Sequence, residues 1–463
     1  MTLLRTTAIV TGFLSTSLWQ ADAAPPDLDS KAVQDQIRSL IVPYVESEHV
    51  DGLSIGIVAD GKTMTLHFGK ALDNGTAPTD ETVYEIGSAS KVFTGVLLAD
   101  AVQQGRVTLD QDAASLLPEG ARMPDKDGKA ISLLDLSIHR SGLPRLPDNM
   151  KDIGGDNPYS TYTSAQAIDF LKTYQLRRAP GAEAEYSNLA VSFLGYLLCH
   201  QSGMTYDELL AQRITGPLKM TSTTVTADKD VLKRLATPHS TPGRAVSTWE
   251  FADMPGAGGI RSNVIDMIRF AQANLNPPEN DLGKAIDLAW QQHHPGNAKD
   301  FAMGLGWHIA RDGTTRWHNG QTGGYHSMIM VNRQFSSAVV VLTNTATMEV
   351  DRLGEDLIRL LAGARVQPRV FEKTVDVPVA KMKRCEGRYQ LVPGFVFDVN
   401  VVNDRLMVQL SGQPTFQVFP KSETEWFYKV VKATITFKTE DAGKFTELEL
   451  FQNGVRQTAK RID

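Results

Sequence analysis

The chain has 463 residues, of which 42% are apolar and 22% charged, and a formal net charge of −6. That composition excludes an intrinsically disordered chain and offers no basic surface for nucleic acid, while the length allows two domains and a sizeable core. Two cysteines, Cys199 and Cys385, are too few for a disulfide scaffold and are not expected to pair, and ten histidines form neither H-x-H-x-D nor H-E-x-x-H, so no zinc site is expected.

Residues 1–23 read as a secretory signal: Arg5 gives the positive start, 6–19 a short apolar stretch, and Ala21-Asp22-Ala23 a small-x-small cleavage site. The stretch is short and rich in Thr and Ser, so an exported protein, periplasmic or secreted, is expected, with no stable membrane span after signal removal. Residues 53–58 and 64–68 are strand-like around Asp60-Gly61, a strong hairpin signal. Within the first run, Gly52-Leu53-Ser54-Ile55-Gly56 matches the G-x-S-x-G nucleophile elbow of the α/β-hydrolase fold. That elbow needs a strand, a sharp turn and a helix, whereas here the apolar run continues, which makes Ser54 a mid-strand residue.

A strand-like run at 82–86 then gives way to an apolar helix-like run at 92–102. Residues 145–163, with Pro147, Gly154-Gly155 and Pro158, read as a long irregular loop, for which a lid over a site is the functional expectation. Helical patterns at 189–198, 206–213, 264–275 and 352–361 surround strand patterns at 325–331 and 338–342. Strands at both ends of the region with helices between predict an α/β (α+β) core whose sheet is antiparallel, because its strands connect as hairpins. A linker is expected at 366–378. Beyond it, short runs between 388 and 451 are separated by turn signals such as Asn403-Asp404 and Ser411-Gly412, the spacing of a small all-β barrel or sandwich.

The chemistry concentrates at three places. Ser88-Ala89-Ser90-Lys91 sits at a strand-to-helix junction, where a serine and a lysine three apart share one face. A serine hydroxyl needs a neighbouring base, and the helix start adds unpaired N–H groups that favour a developing oxyanion. Tyr186-Ser187-Asn188 follows the Pro180-Gly181 turn and opens another apolar run, and His318-Asn319-Gly320 begins a strand-like segment. Lys91 and Tyr186 are both base candidates for Ser88, and nearby cations are expected to favour the Tyr186 phenolate.

The order S-x-x-K, Y-x-N, then basic-x-Gly resembles the penicillin-recognising serine hydrolases: class C β-lactamases, D-Ala-D-Ala peptidases and β-lactamase-like esterases. The segments 136–144 (LSIHRSGLP), 258–262 (GGIRS) and 304–307 (GLGW) also look like signatures of this family. The resemblance implies a hydrolase domain over 24–365, with an antiparallel sheet flanked by helices and an all-helical subdomain. It also implies a lipocalin-like barrel over 379–463. Ser88 would be the nucleophile, with Lys91 and Tyr186 completing the catalytic set. Asn188 would orient the lysine and the substrate amide. The backbone N–H groups of Ser88 and Gln321 would bind the oxyanion, and Gly320 would let substrate approach the strand. His318 stands where many β-lactamases carry the lysine of a Lys-Thr/Ser-Gly motif, so carboxylate recognition would fail or pass to an arginine elsewhere. The expected activity is acyl-enzyme hydrolysis of β-lactam or D-Ala-type peptide amides, in the manner of a class C β-lactamase. The alternatives are a carboxylesterase of small acyl esters and a slowly deacylating penicillin-binding receptor. The expected partner is a small-molecule or peptide substrate, with no cofactor, and the oligomeric state is left open.

Overall fold

The computed structural model describes residues 26–151, 157–297, 300–429 and 431–463. The expected signal at 1–23 lies outside them. The described chain falls into two compact units, divided between Pro368 and Arg369.

The first unit is built on a seven-stranded sheet. Its strand order is Lys62–Gly69, Gly52–Ala59, Ser337–Thr343, His326–Asn332, Thr315–Gln321, His308–Ile309 and Ala302–Met303. Every pairing is antiparallel, and the N-terminal hairpin is zipped directly onto the late strand Ser337–Thr343. Asp60 and Gly61 both take positive φ at the hairpin turn, as a two-residue turn of matching twist demands.

Strand alternation assigns the two faces. Gly56, Val340 and Ile329 are register partners and so share a face. A methyl on Gly56 would collide with Ile268, so this face carries the Val264–Leu275 helix. Met328 and Val341 point the other way, and Met328 lies against Gly354 of the Glu349–Leu361 helix. Covered on both faces, the strands Gly52–Ala59, His326–Asn332 and Ser337–Thr343 are buried at every residue.

The rest of this unit is helical. At its centre, Ser90–Gln103 is buried continuously through Ala101, which is why its sequence is apolar rather than amphipathic. Around it lie Leu133–Ser137, Ser164–Thr173, Asn188–Ser202, Tyr206–Leu210 and Asp281–Trp290. The strand-like run at 82–86 forms only Val83–Glu85, which pairs with Arg261–Asn263 outside the main sheet.

The second unit is a nine-stranded antiparallel sheet. It runs from Thr415–Gln417 through Arg405–Leu410, Phe395–Val402, Gly387–Val392, Val455–Arg461, Lys444–Gln452, Ala433–Asp441 and Glu425–Phe427 to Phe419–Pro420. Its first and last strands are separated in sequence only by Val418, so the sheet curls into a nearly closed barrel around Tyr389, Phe397, Trp426, Phe437 and Leu448. Residues 369–378, read from sequence as part of a linker, belong with this unit. Val375 N donates to Pro420 O at 3.0 Å, and Val377 joins the barrel core. Cys199 and Cys385 are both free.

Candidate active site

Ser88 lies in the tight turn Gly87–Ala89, which leads straight into the Ser90–Gln103 helix. One helical turn on, Lys91 Nζ is 2.9 Å from Ser88 Oγ and 2.7 Å from the Ala257 carbonyl oxygen. The Lys91 side chain is fully buried. Burial, aided by the positive charge of Arg145, holds its amine well below the usual lysine range. A neutral amine can donate to the Ala257 carbonyl and still offer its lone pair to the Ser88 hydroxyl proton.

The turn is held against the strand Thr315–Gln321 by two glycines. A methyl on Gly320 would stand 2.0 Å from Ile86 O and 2.7 Å from Ser88 N, and one on Gly87 would stand 2.7 Å from Gln321 N. Gly87 also takes φ +50°, a conformation that costs a larger residue. The absence of both side chains brings the Ser88 and Gln321 N–H groups to one end of the cleft, a pair of donors suited to an oxyanion. Gly320→Ala is expected to force the turn and strand apart and to lower kcat by about 10²–10³, the usual cost of one lost oxyanion donor. Steady-state kinetics beside thermal melting check this: a variant that is folded and fully active would refute the close approach.

Tyr186 stands on the same serine. The nearby Ser88 side chain draws its phenol pKa down against burial, Lys91 Nζ lies 4.8 Å from its ring centre, and the His139 ring centre lies 4.3 Å away. Burial outweighs the nearby cations and pushes the phenol up to about 12. The expected phenolate is therefore not the resting form, because the cost of burying a charge exceeds the attraction of the Arg145 guanidinium. Asn188 opens the Asn188–Ser202 helix, capped by Ser187 Oγ, which accepts from Ala190 N at 2.9 Å. Its Nδ2 donates to the Tyr159 hydroxyl at 3.0 Å, and its Oδ1 is buried with no partner among the described residues. The amide thus reaches Tyr159, while the hydrogen bonds of Lys91 go to Ser88 and Ala257.

Strand alternation also explains the H-x-G pattern. His318 and Gly320 face the Ser88 turn, whereas Asn319 faces the Glu349–Leu361 helix, where its Nδ2 donates to Asp351 at 2.7 Å. His318 is 1% exposed. Its Nδ1 donates to the Asn319 carbonyl at 2.5 Å, which leaves Nε2 as a buried acceptor with no partner among the described residues. Burial, then His308 and Lys91, hold its pKa well below the usual histidine range, so it is neutral at pH 7.

Three further histidines, His139, His308 and His326, were not among the sequence candidates. His139, within the LSIHRSGLP segment, takes φ +61° and accepts from Ser187 N through Nδ1 at 3.2 Å, tying that segment to Tyr186-Ser187-Asn188. Its left-handed backbone was hidden in the sequence. The His308 ring lies 4.9 Å from that of His318, and burial pulls its pKa down to about 4. Behind the strand, His326 is bonded to Asp351 at 2.7 Å and to Gln321 Oε1 at 3.0 Å, fixing the side chain of the residue that carries the second N–H.

Ser88, His139, Arg145, Tyr186, Trp249, Asp300, His308, Gly320, Gln321 and His326 are among the residues lining a cleft of about 530 Å³, whereas Lys91, Asn188 and His318 do not line it. Ser54 is not among its lining. Cross-strand register sets Ser54 opposite His67, so Ser54 Oγ meets His67 Nδ1 at 3.0 Å and His67 Nε2 meets Asp80 Oδ1 at 2.9 Å. This chain has the composition of a Ser-His-Asp triad, but Ser54 is fully buried mid-strand and bonded to the buried Tyr84 hydroxyl at 2.9 Å. No substrate carbonyl can reach it. Among the described residues there is no cluster suited to a metal ion, and no helix long and apolar enough to cross a membrane.

An antiparallel sheet with a helical subdomain beside it is the architecture of the β-lactamase and transpeptidase superfamily of serine hydrolases, and comparison with known proteins agrees. A family model described as Beta-lactamase matches residues 37–364, and the chain belongs to that family. A second model, a domain of unknown function (DUF3471), matches residues 372–461. A beta-lactamase of Escherichia coli K12 is 29% identical over 60% of this chain and 71% of its own length. The D-alanyl-D-alanine-carboxypeptidase/endopeptidase AmpH of the same strain is 28% identical over 75% of this chain and 94% of its own. A beta-lactamase of Yersinia enterocolitica is 28% identical over 59% and 68% respectively.

Proposed function

We propose that the chain is an exported serine hydrolase that forms an acyl-enzyme on Ser88 and hydrolyses β-lactam or D-Ala-type peptide amides. The observation that carries this reading is one hydroxyl with a buried amine at 2.9 Å and a half-buried phenol beside it, the amine held well below and the phenol above its ordinary pKa. Lys91 takes the proton of Ser88 as Oγ bonds to the carbonyl carbon. The negative charge on the carbonyl oxygen is met by the N–H groups of Ser88 and Gln321. Tyr186 protonates the leaving nitrogen as the C–N bond breaks, and the Lys91 ammonium returns a proton to the phenol. In deacylation the same pair takes a proton from water, which attacks the ester and releases Ser88. Relatives that are named beta-lactamases and a D-Ala-D-Ala carboxypeptidase support the amide class.

A second reading, a carboxylesterase of small acyl esters, is favoured by one observation: His318 is neutral and buried, so the strand offers no cation to a substrate carboxylate. The test uses the purified protein on a chromogenic cephalosporin, a D-Ala-D-Ala peptide and a p-nitrophenyl ester. Turnover of either amide that is lost in Ser88→Ala supports the amidase, and turnover of the ester alone selects the esterase. Stoichiometric acylation without turnover would instead select a penicillin-binding receptor.

A further inference from the structure

The strand position that carries a lysine in many β-lactamases holds an uncharged histidine, so an anionic substrate must be anchored elsewhere or not at all. Among the described residues lining the cleft, Arg145 is the one arginine or lysine. It is exposed and makes no ion pair among the described residues. Its guanidinium carbon lies 5.1 Å from the centre of the Tyr186 ring.

The backbone beneath it is firmly placed. The Arg145 carbonyl accepts from Asn188 N at 3.0 Å and Leu189 N at 3.3 Å, and Ser187 Oγ donates to the preceding carbonyl, that of Pro144, at 2.6 Å. Three hydrogen bonds thus clip Pro144-Arg145 onto the segment that bears Tyr186. Among the described residues the guanidinium rests over the Tyr186 ring with no ion pair, while its root is fixed beside the segment that carries Tyr186. On the far side of the charge balance, Asp300 also lines the cleft, loosely facing Arg140 at 3.9 Å. An anionic substrate group is repelled there and drawn to Arg145.

We infer that Arg145 is the carboxylate anchor of the cleft, and that the preferred substrates carry a free carboxylate which pairs with its guanidinium. Anion recognition has then moved from the strand wall to the helical side, where a planar, permanently charged fork can bind a carboxylate through two parallel N–H donors. This rests on the Ser88 hydrolase reading above and specifies its substrate class.

The test compares a chromogenic cephalosporin bearing its free carboxylate with the methyl ester of the same compound, in the wild type, Arg145→Gln and Arg145→Lys. Because Arg145 also lowers the pKa of Lys91, Arg145→Gln is expected to slow both substrates, so the quantity to read is the ratio of kcat/KM for acid over ester. In the wild type the acid is expected to be preferred by at least about tenfold, the order expected of a charge-assisted pair. Arg145→Gln should bring the ratio close to one through a raised KM for the acid, and Arg145→Lys should keep part of the preference. An unchanged ratio in Arg145→Gln would overturn the assignment while leaving the hydrolase intact. Absence of any Ser88-dependent turnover of both compounds would instead overturn the hydrolase reading itself.

Discussion

Ser88→Ala is expected to lower kcat on any accepted substrate by about 10⁴-fold or more and to leave melting behaviour close to that of the wild type. Removing the nucleophile of a hydrolase typically costs about 10⁶ in kcat, with a residue of about 10³–10⁴ over water supplied by the oxyanion donors and binding. Here the donors belong to the backbone of residues 88 and 321 and survive the substitution, so a small residual rate is expected. The side chain is only half-buried, in a turn fixed by Gly87 and Gly320 rather than by its own hydroxyl. Stopped-flow or steady-state kinetics beside thermal melting provide the check. Full activity in Ser88→Ala, with loss in Ser54→Ala, would move the site to the Ser54-His67-Asp80 chain.

Lys91→Met is expected to separate activity from stability. Loss of the base should lower kcat by about 10²–10⁴, the usual contribution of a positioned general base. Stability should rise. In the unfolded chain a lysine titrates near ~10.4, whereas burial holds the folded amine well below that. Between those two values the unfolded state binds the extra proton, so stability increases with pH across that window, and the full penalty is felt below the folded value. Methionine fills a similar volume without the penalty. The gain in melting temperature should therefore be large at neutral and acid pH and should shrink as pH climbs towards the ordinary lysine range. In the wild type the acid limb of kcat/KM should report the Lys91 titration, and losing the Arg145 charge should move it to higher pH. A Lys91→Met variant that is less stable than the wild type at pH 7 would refute the burial argument.

Much of this was legible because it is local. Ser88 and Lys91 are one helical turn apart, so a helix starting near 90 is enough to bring them together. The hairpin around Asp60-Gly61 and the barrel hairpin at Asn403-Asp404 follow from turn chemistry, and in both hairpins the two turn residues take positive φ. Other features hinge on partners far away in the chain. That Gly320 and Gly87 face each other depends on a strand some 230 residues downstream meeting the Ser88 turn, and no spacing rule reports it. Arg145 follows directly on the LSIHRSGLP segment, yet its placement needs hydrogen bonds to Asn188 and Leu189 that the sequence does not reveal. The Tyr186 phenol was misjudged because sequence shows which charges exist but not how deeply a ring is buried. The Lys31–Glu46 helix, by contrast, carries a readable pattern, with Ile37, Leu40, Ile41 and Tyr44 on its buried face. Pro43 within it masks the signal, since proline ordinarily ends a helix.

The glycines and the central helix together show how the fold serves the chemistry. A helix buried almost throughout carries a lysine into a region where its charge is costly, and the same burial keeps the tyrosine protonated. In the mechanism proposed above, an amine held below its ordinary range and a phenol held above its own would be suited to pass a proton in one direction during acylation and in the other during deacylation.

The most direct test of the account is to mix the protein with a slowly hydrolysed β-lactam, quench in acid and map the adduct by mass spectrometry. The account predicts one equivalent of the opened β-lactam on the peptide containing Ser88, absent from Ser88→Ala and slow to appear in Lys91→Met. An adduct on any other residue, or β-lactam hydrolysis that persists undiminished in Ser88→Ala, would contradict it.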